Sequence, residues 1–323
     1  MNERNELAGL LSQELGQKPQ YIENVIRLLD EGNTIPFIAR YRKELHGAMD
    51  DTTLRTLEQR LEYLRGLNQR REAISAAIEA QGKLTPALQQ AIAVAKTLSE
   101  LEDLYRPYKQ KRRTRATVAR EKGLAPLAEI LFAQSPDGPA PNAAAQAYLS
   151  QEVETVQNAL QGASDIIAET ISDDAELRKT LRALMQREAL LVSKAATEED
   201  SVYRLYYDFS ANVSRLQGHQ VLAINRGEKE KILKVSVAMD RDKALQALRR
   251  AVVVPGSPSM AFVRQAAEDA YDRLLFPSLE REIRSTLTDQ ACEGAIGQFA
   301  LNLRPLLMQP PVKGKVTMGL DPG

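Results

Sequence analysis

The chain has 323 residues, 43% of them hydrophobic, a formal net charge of zero and no tryptophan. That length exceeds what one hydrophobic core usually organises, and the apolar fraction excludes an intrinsically disordered chain. A single cysteine, Cys292, excludes an internal disulfide framework, and no stretch approaches the roughly 18 uninterrupted apolar residues of a membrane span.

The start, MNERNELAGLLSQELG, sets Glu3, Arg4 and Glu6 where a secretory leader needs a basic start and an apolar run, so a cytoplasmic location is expected. Leu, Ala, Glu, Gln and Arg abound, which favours helices. Charge is uneven along the chain: residues 1–122 carry 21 basic and 17 acidic side chains, and residues 123–200 carry 5 and 13. Blocks of opposite sign imply regions with different neighbours, although a basic region can simply dock on an acidic one.

In chain order, Leu7, Leu10, Leu11 and Leu15 predict a first amphipathic helix closing near Gly16. Tyr21, Val25, Leu28 and Leu29 predict a second, stopped at Gly32. Pro36 suits the first turn of a short helix. In the following IARYRKE, Ile38 is expected to pack and Arg40 to pair with Glu44 four residues on. Direct phosphate contact by Arg40, Arg42 and Lys43 is the alternative there. From Asp51 to Gly82 the spacing of Leu54, Leu57, Leu61, Leu64 and Leu67, then Ile74 and Ile78, predicts one long helix with a stutter at Arg71. Thr85-Pro86 starts the next helix, through about Thr97, and Ser99 with Glu102 has capping-box spacing.

Then comes LYRPYKQKRRTRATVARE, residues 104–121. Eight Lys or Arg and one acid, Glu121, lie between Arg106 and Lys122. Pro107 interrupts a helix here, so the strip is expected to be largely extended or turn. In that form Arg106, Lys109, Lys111, Arg112, Arg113 and Arg115 can track a phosphate backbone, with Tyr105 and Tyr108 stacking on bases. A loop docked on an acidic protein surface satisfies the same arginines, since their planar fork pairs equally with carboxylate and phosphate.

SPDGPAPN, residues 135–142, is turn-rich punctuation. A helix is expected from about Asp173 to Lys194. From Ser201 the texture becomes β-branched and aromatic, predicting a small β element of two to four strands over about 203–238, with Arg226 to Glu228 as a hairpin turn. Helices return from about Asp242, break at VPGSP and continue towards Leu307. Lys315 to Leu320 reads as a strand that stops at once, as if the chain were cut at the start of another domain.

Five of these strings, TIPFIARYRKE, LEDLYRPYKQKRRTRATVARE, VLAINRGEKEKILKV, FPSLEREIR and the terminal GLDPG, resemble in order the Tex family of bacterial transcription accessory proteins. The resemblance implies a helical N-terminal region with a helix-turn-helix-like part. Further domains would follow it: an RNase H-like (YqgF-type) domain, helix-hairpin-helix units and an OB-fold RNA-binding domain. The expected fold is therefore mainly α. It comprises a helical domain over 1–200, an α-rich central region over 201–312 carrying the β element, and the start of a truncated RNase H-like domain over 313–323. The implied function is the N-terminal scaffold of a transcription accessory protein. RNA or DNA would be bound mostly through the C-terminal domains, and RNA polymerase or ribosome components are candidate protein partners.

No catalytic or cofactor site is expected in the chain itself. Asp321, at the end of the final strand, suits one metal-binding carboxylate of an RNase H-like site, but such a site needs further carboxylates from later strands. His46 and His219 have no metal-ligand spacing and read as partly exposed loop residues. The alternatives are a scaffold for protein partners alone, or part of a metal-dependent nuclease or resolvase.

Overall fold

Over the described residues (3–110, 112–197, 200–310, 313–316 and 318–320) the computed structural model is mainly α, with one small sheet. The chain divides into two units, Met1–Lys109 and Gln110–Gly323.

In the first unit α1 (Glu3–Leu15), α2 (Pro19–Asp30) and α3 (Ile35–Tyr41) pack against the leading half of α4 (Asp51–Glu79). Leu11, Ile22, Ile26, Ile38, Leu57 and Leu61 form this core. The trailing half of α4 builds a second core with α5 (Pro86–Val94) and α6 (Leu98–Tyr105), around Leu67, Ile74, Ile78, Ile92 and Leu101. The stutter at Arg71 has a physical use. Its guanidinium donates to the carbonyls of Ile92 and Ala95, each at 3.0 Å, and to the Asn68 side chain. A cation on the stripe thus satisfies carbonyls at the end of α5 that no helix partner reaches.

Three expectations change in this unit. The cap of α6 is Thr97, whose hydroxyl accepts from Glu100 N at 3.2 Å, so the capping role belongs two residues before Ser99. Arg40 does not pair with Glu44, because α3 ends at Tyr41 and Arg42 leaves the helical region at φ −132°, which destroys the i,i+4 geometry. His46 is 1% exposed rather than a surface loop residue. Gly47 and Ala48 both take positive φ, and the turn they make folds the imidazole inward. A Cβ on Gly47 would lie 2.4 Å from the Tyr21 ring, so the turn needs glycine for space as well as for conformation.

The second unit is arranged around α10 (Val156–Asp173), whose faces are taken by α7 (Arg115–Glu121), α8 (Ala125–Ala133), α9 (Pro141–Gln146), α11 (Ala175–Glu188) and α14 (Met260–Asp269). After α11 the chain enters β1 (Leu190–Ala195), so the helix expected to reach Lys194 stops at Glu188. β1 is the central strand, antiparallel to β2 (Asp208–Asn212) on one side and to β3 (Leu233–Ala238) on the other. Pairing on both edges settles a leucine-rich run that is ambiguous between helix and strand.

Between β2 and β3 lies α12 (Gly218–Lys229), where a strand and a hairpin turn at Arg226 to Glu228 were expected. Val221, Ile224 and Gly227 form its buried face. Gly227 is there for close approach, since a Cβ would sit 2.6 Å from Leu233 Cδ1 and 3.2 Å from Tyr203 Cδ1. The turn falls later, at Lys231, with φ +62°.

α13 (Arg241–Val252) and α14 follow, and a π-helical segment, Ala270–Leu275, joins α14 to α15 (Phe276–Leu307). Pro277 cannot donate a backbone hydrogen bond to the turn before it, and the widened segment absorbs that loss. Tyr271 lies buried in this segment, and burial pushes its hydroxyl up to about 12. Residues 315, 316 and 318–320 are exposed and form no strand, while Thr317 and Asp321 to Gly323 lie outside the described residues.

Gly227→Ala should destabilise the second unit. Overpacking costs about 1–3 kcal/mol, against a helix-propensity gain of at most about 1 kcal/mol. Chemical denaturation of the variant checks this, and an unchanged or raised midpoint would contradict the close-approach account.

Candidate nucleic-acid interface

The basic strip begins where α6 gives way to a 3-10 turn, Arg106–Tyr108, with Pro107 inside it, and Lys109 then takes an extended conformation. The expected break at Pro107 is therefore present, although it is a tightened turn and not a fully extended run. Tyr105 and Tyr108 pack half-buried on the α4–α6 core, and the Arg70 guanidinium lies 5.5 Å from the Tyr105 ring centroid. Gln81 Nε2 donates to the Tyr108 carbonyl at 2.9 Å, which fastens the turn to the end of α4. Arg106 is half-buried, and Lys109 pairs with Glu102 at 3.6 Å, a carboxylate already held by Arg70 at 2.6 Å.

The unit boundary falls between Lys109 and Gln110. Arg106, Tyr108 and Lys109 therefore belong to the first unit, and Arg112, Arg113 and Arg115 to the second. Lys111 lies outside the described residues. Thr114 caps α7: its hydroxyl accepts from Thr117 N and donates to Glu169 Oε1, both at 3.0 Å. Arg120, next to the end of the strip, pairs with Glu169 Oε2 at 2.5 Å. Glu169 is only 8% exposed, so a buried carboxylate on α10 fixes both ends of α7. Lys122 Nζ donates to the Glu152 carbonyl at 3.2 Å.

Within this segment the cations divide into two sets. Arg113 pairs with Glu121 at 3.1 Å, with both side chains mostly exposed, so the pair contributes little and is easily exchanged for another anion. Arg112 and Arg115 are exposed and have no ion-pair partner among the described residues. Elsewhere arginines are largely taken up. Arg60 and Glu14 pair at 2.8 Å, and the hydrogen bonds from that guanidinium hold the Glu14 carboxyl below the usual carboxylate range. Arg178, 2% exposed, and Arg182 both reach Glu282, and Arg273 reaches Asp165 at 3.0 Å. Against that background an exposed, unpaired guanidinium is a feature of the surface that an anion can use.

Among the described residues no group of three or more His, Cys, Asp or Glu is placed to hold a metal ion, and no helix is long and apolar enough to cross a membrane. Asp321 lies outside the described residues, and His219 is exposed at the start of α12.

These features define two mainly helical units, each carrying part of the basic segment. Comparison with known proteins gives the family. Residues 5–79 match the model of the Tex-like protein N-terminal domain, and residues 137–299 match that of the Tex central region. The chain belongs to the Tex family. It is 44% identical over 319 residues to the protein YdcI of Bacillus subtilis, covering 97% of this chain and 44% of that one. It is 39% identical over 325 residues to the transcriptional accessory protein Tex of Neisseria gonorrhoeae, covering 97% and 42%. A human protein named S1 RNA-binding domain-containing protein 1 is 32% identical over 338 residues, covering 98% of this chain and 34% of its own length. The chain thus spans less than half the length of these relatives.

Glu169→Ala should destabilise the second unit by about 1–3 kcal/mol, because it removes the acceptor shared by Thr114 and Arg120. Glu169→Gln, which keeps an acceptor for Thr114, should lose less. Equal denaturation midpoints for Glu169→Ala and the unmodified chain would show that α7 is held by its alanine face alone.

Proposed function

We propose that this chain is the non-catalytic N-terminal scaffold of a cytoplasmic transcription accessory protein, and that it takes part in binding RNA or DNA through its basic strip. The observation that carries the reading is the exposure of Arg112 and Arg115 without carboxylate partners among the described residues, where most other guanidiniums are paired. The name of the N. gonorrhoeae relative supports the transcriptional role, and that of the human relative supports RNA as a ligand of the longer protein. In this reading the RNase H-like and RNA-binding domains implied by the family resemblance lie beyond Gly323. They carry most of the nucleic-acid affinity, while RNA polymerase or ribosome components are the protein partners.

One surface favours a protein contact as well. Beyond Ala291 the described side chains of α15 are exposed, with Ile296, Phe299, Leu303, Leu306 and Leu307 uncovered. A helix this apolar normally buries one stripe. The relatives are more than twice as long as this chain, and in this reading the further length of the protein covers this end of α15.

Fluorescence anisotropy with single-stranded RNA, single-stranded DNA and duplex DNA, titrated with salt, tests the strip. The unmodified chain should bind, and the triple variant Arg112→Glu, Arg113→Glu, Arg115→Glu should bind more weakly. Its salt slope should flatten by about 0.7–0.9 for each phosphate that the variant no longer neutralises. Identical affinities and slopes for the two proteins would assign the strip to protein docking.

A further inference from the structure

Another basic surface lies wholly within the first unit, on α3 and the turn after it. Ile35 and Ile38 point into the core and fix the helix, which leaves Arg40 and Tyr41 outward. Tyr41 is 55% exposed. Its ring is nevertheless held: the Phe37 centroid lies 5.2 Å away at an interplanar angle of 47°, and the Arg42 guanidinium carbon lies 5.2 Å from the Phe37 centroid. Arg42 also donates to the Tyr41 carbonyl at 3.1 Å. The turn beneath carries the buried His46 and is anchored by Asn24 Nδ2, which donates to the Leu45 carbonyl at 2.9 Å.

The charges on this surface are not spent internally. Among the described residues Arg40, Arg42 and Lys43 make no ion pair, and Glu44 is the one acid among residues 40–46. In the same unit Arg4, Arg27, Arg55, Arg60, Arg65 and Arg70 each hold a carboxylate. The other tyrosines near cations differ from Tyr41. Tyr21, 6.0 Å from Lys18, packs on the first core, Tyr63 faces Arg60, which is paired with Glu14, and Tyr105 and Tyr108 pack on the second core. Tyr41 alone of these combines high exposure, an aromatic brace and unpaired cations beside it.

We propose that Arg40, Tyr41, Arg42 and Lys43 form a binding site for single-stranded nucleic acid. An exposed, braced aromatic ring is a platform for an unstacked base, and the cations beside it meet the phosphates that flank such a base. Duplex bases are stacked on each other and offer Tyr41 no free face, so the site prefers single strands. The inference rests on the reading of the chain as nucleic-acid-binding, and it adds a second site and a strandedness to that reading.

The test is anisotropy of the whole chain with labelled oligo-dT and oligo-U of about 12 nucleotides, within the range of known single-strand site sizes. Tyr41→Ala should weaken binding by about 5- to 150-fold, the effect of removing one stacked base, while Tyr41→Phe, which keeps the ring, should bind like the unmodified chain. The double variant Arg40→Gln, Lys43→Gln, at two exposed positions that no core depends on, should flatten the salt slope by about 1.4. Should Tyr41→Ala unfold, the double variant still decides. Suppose Tyr41→Ala and the double variant match the unmodified chain while the Arg112, Arg113, Arg115 variant loses affinity. The site on α3 is then refuted and the strip stands. Absence of binding by the unmodified chain at low salt would overturn both.

Discussion

Arg60 holds Glu14 across α4 and α1, Arg65 holds Asp30 across α4 and α2, Arg182 holds Glu282 across α11 and α15, and Arg273 holds Asp165 across the π-helical segment and α10. Each of these pairs joins elements distant in sequence. Those at the surface contribute little stability singly, because water and salt screen them. Their larger consequence is for charge. With equal numbers of basic and acidic residues, internal pairing removes most of the positive surface that arginine content alone suggests. Among the described residues the cations without an ion pair include those of α3 with its turn and of the Arg112 to Arg115 segment.

Both places owe their form to nearby helix ends. At α3 the helix stops after Tyr41, which separates Arg40 from Glu44 and leaves the cation unmatched. At α7 the Thr114 cap and the buried Glu169 fix where the helix begins, so Arg112 precedes it and Arg115 occupies its first exposed position. Helix termination, and not composition, decides which arginines stay available. The same logic runs the other way at Arg71, where the end of α5 presents bare carbonyls and a core-facing guanidinium takes them.

Much of the helical fold was legible in the sequence because leucine and isoleucine recur with helical period over long stretches. The α4 stripe from Leu54 to Ile78 and the proline-started α2, α3 and α5 follow from local rules. The misread elements are those where long-range packing overrides local pattern. Leu190, Leu191 and Val192 continue a leucine-rich helix by local pattern, yet two partner strands claim them. Gly227 looks like a turn residue until Leu233 is seen against it. The strip was visible as a cluster of charge. Which of its residues are already paired depends on Glu102, Glu121 and Glu169, and only folding brings these carboxylates near. The exposure of Tyr41 had no sequence signal beyond its place in IARYRKE.

On the proposed function, unpaired cations and not basic residues in general would mark where nucleic acid touches the chain. Ultraviolet cross-linking of the unmodified chain to single-stranded RNA, followed by mass-spectrometric mapping of the adducts, tests it most directly. The account predicts adducts on peptides containing Tyr41 and Lys43 and on those bordering Arg112 and Arg115. Segments carrying the paired Arg60, Arg65 and Arg241 should be spared. Adducts spread evenly over paired and unpaired arginines, or concentrated on the paired ones, would contradict it.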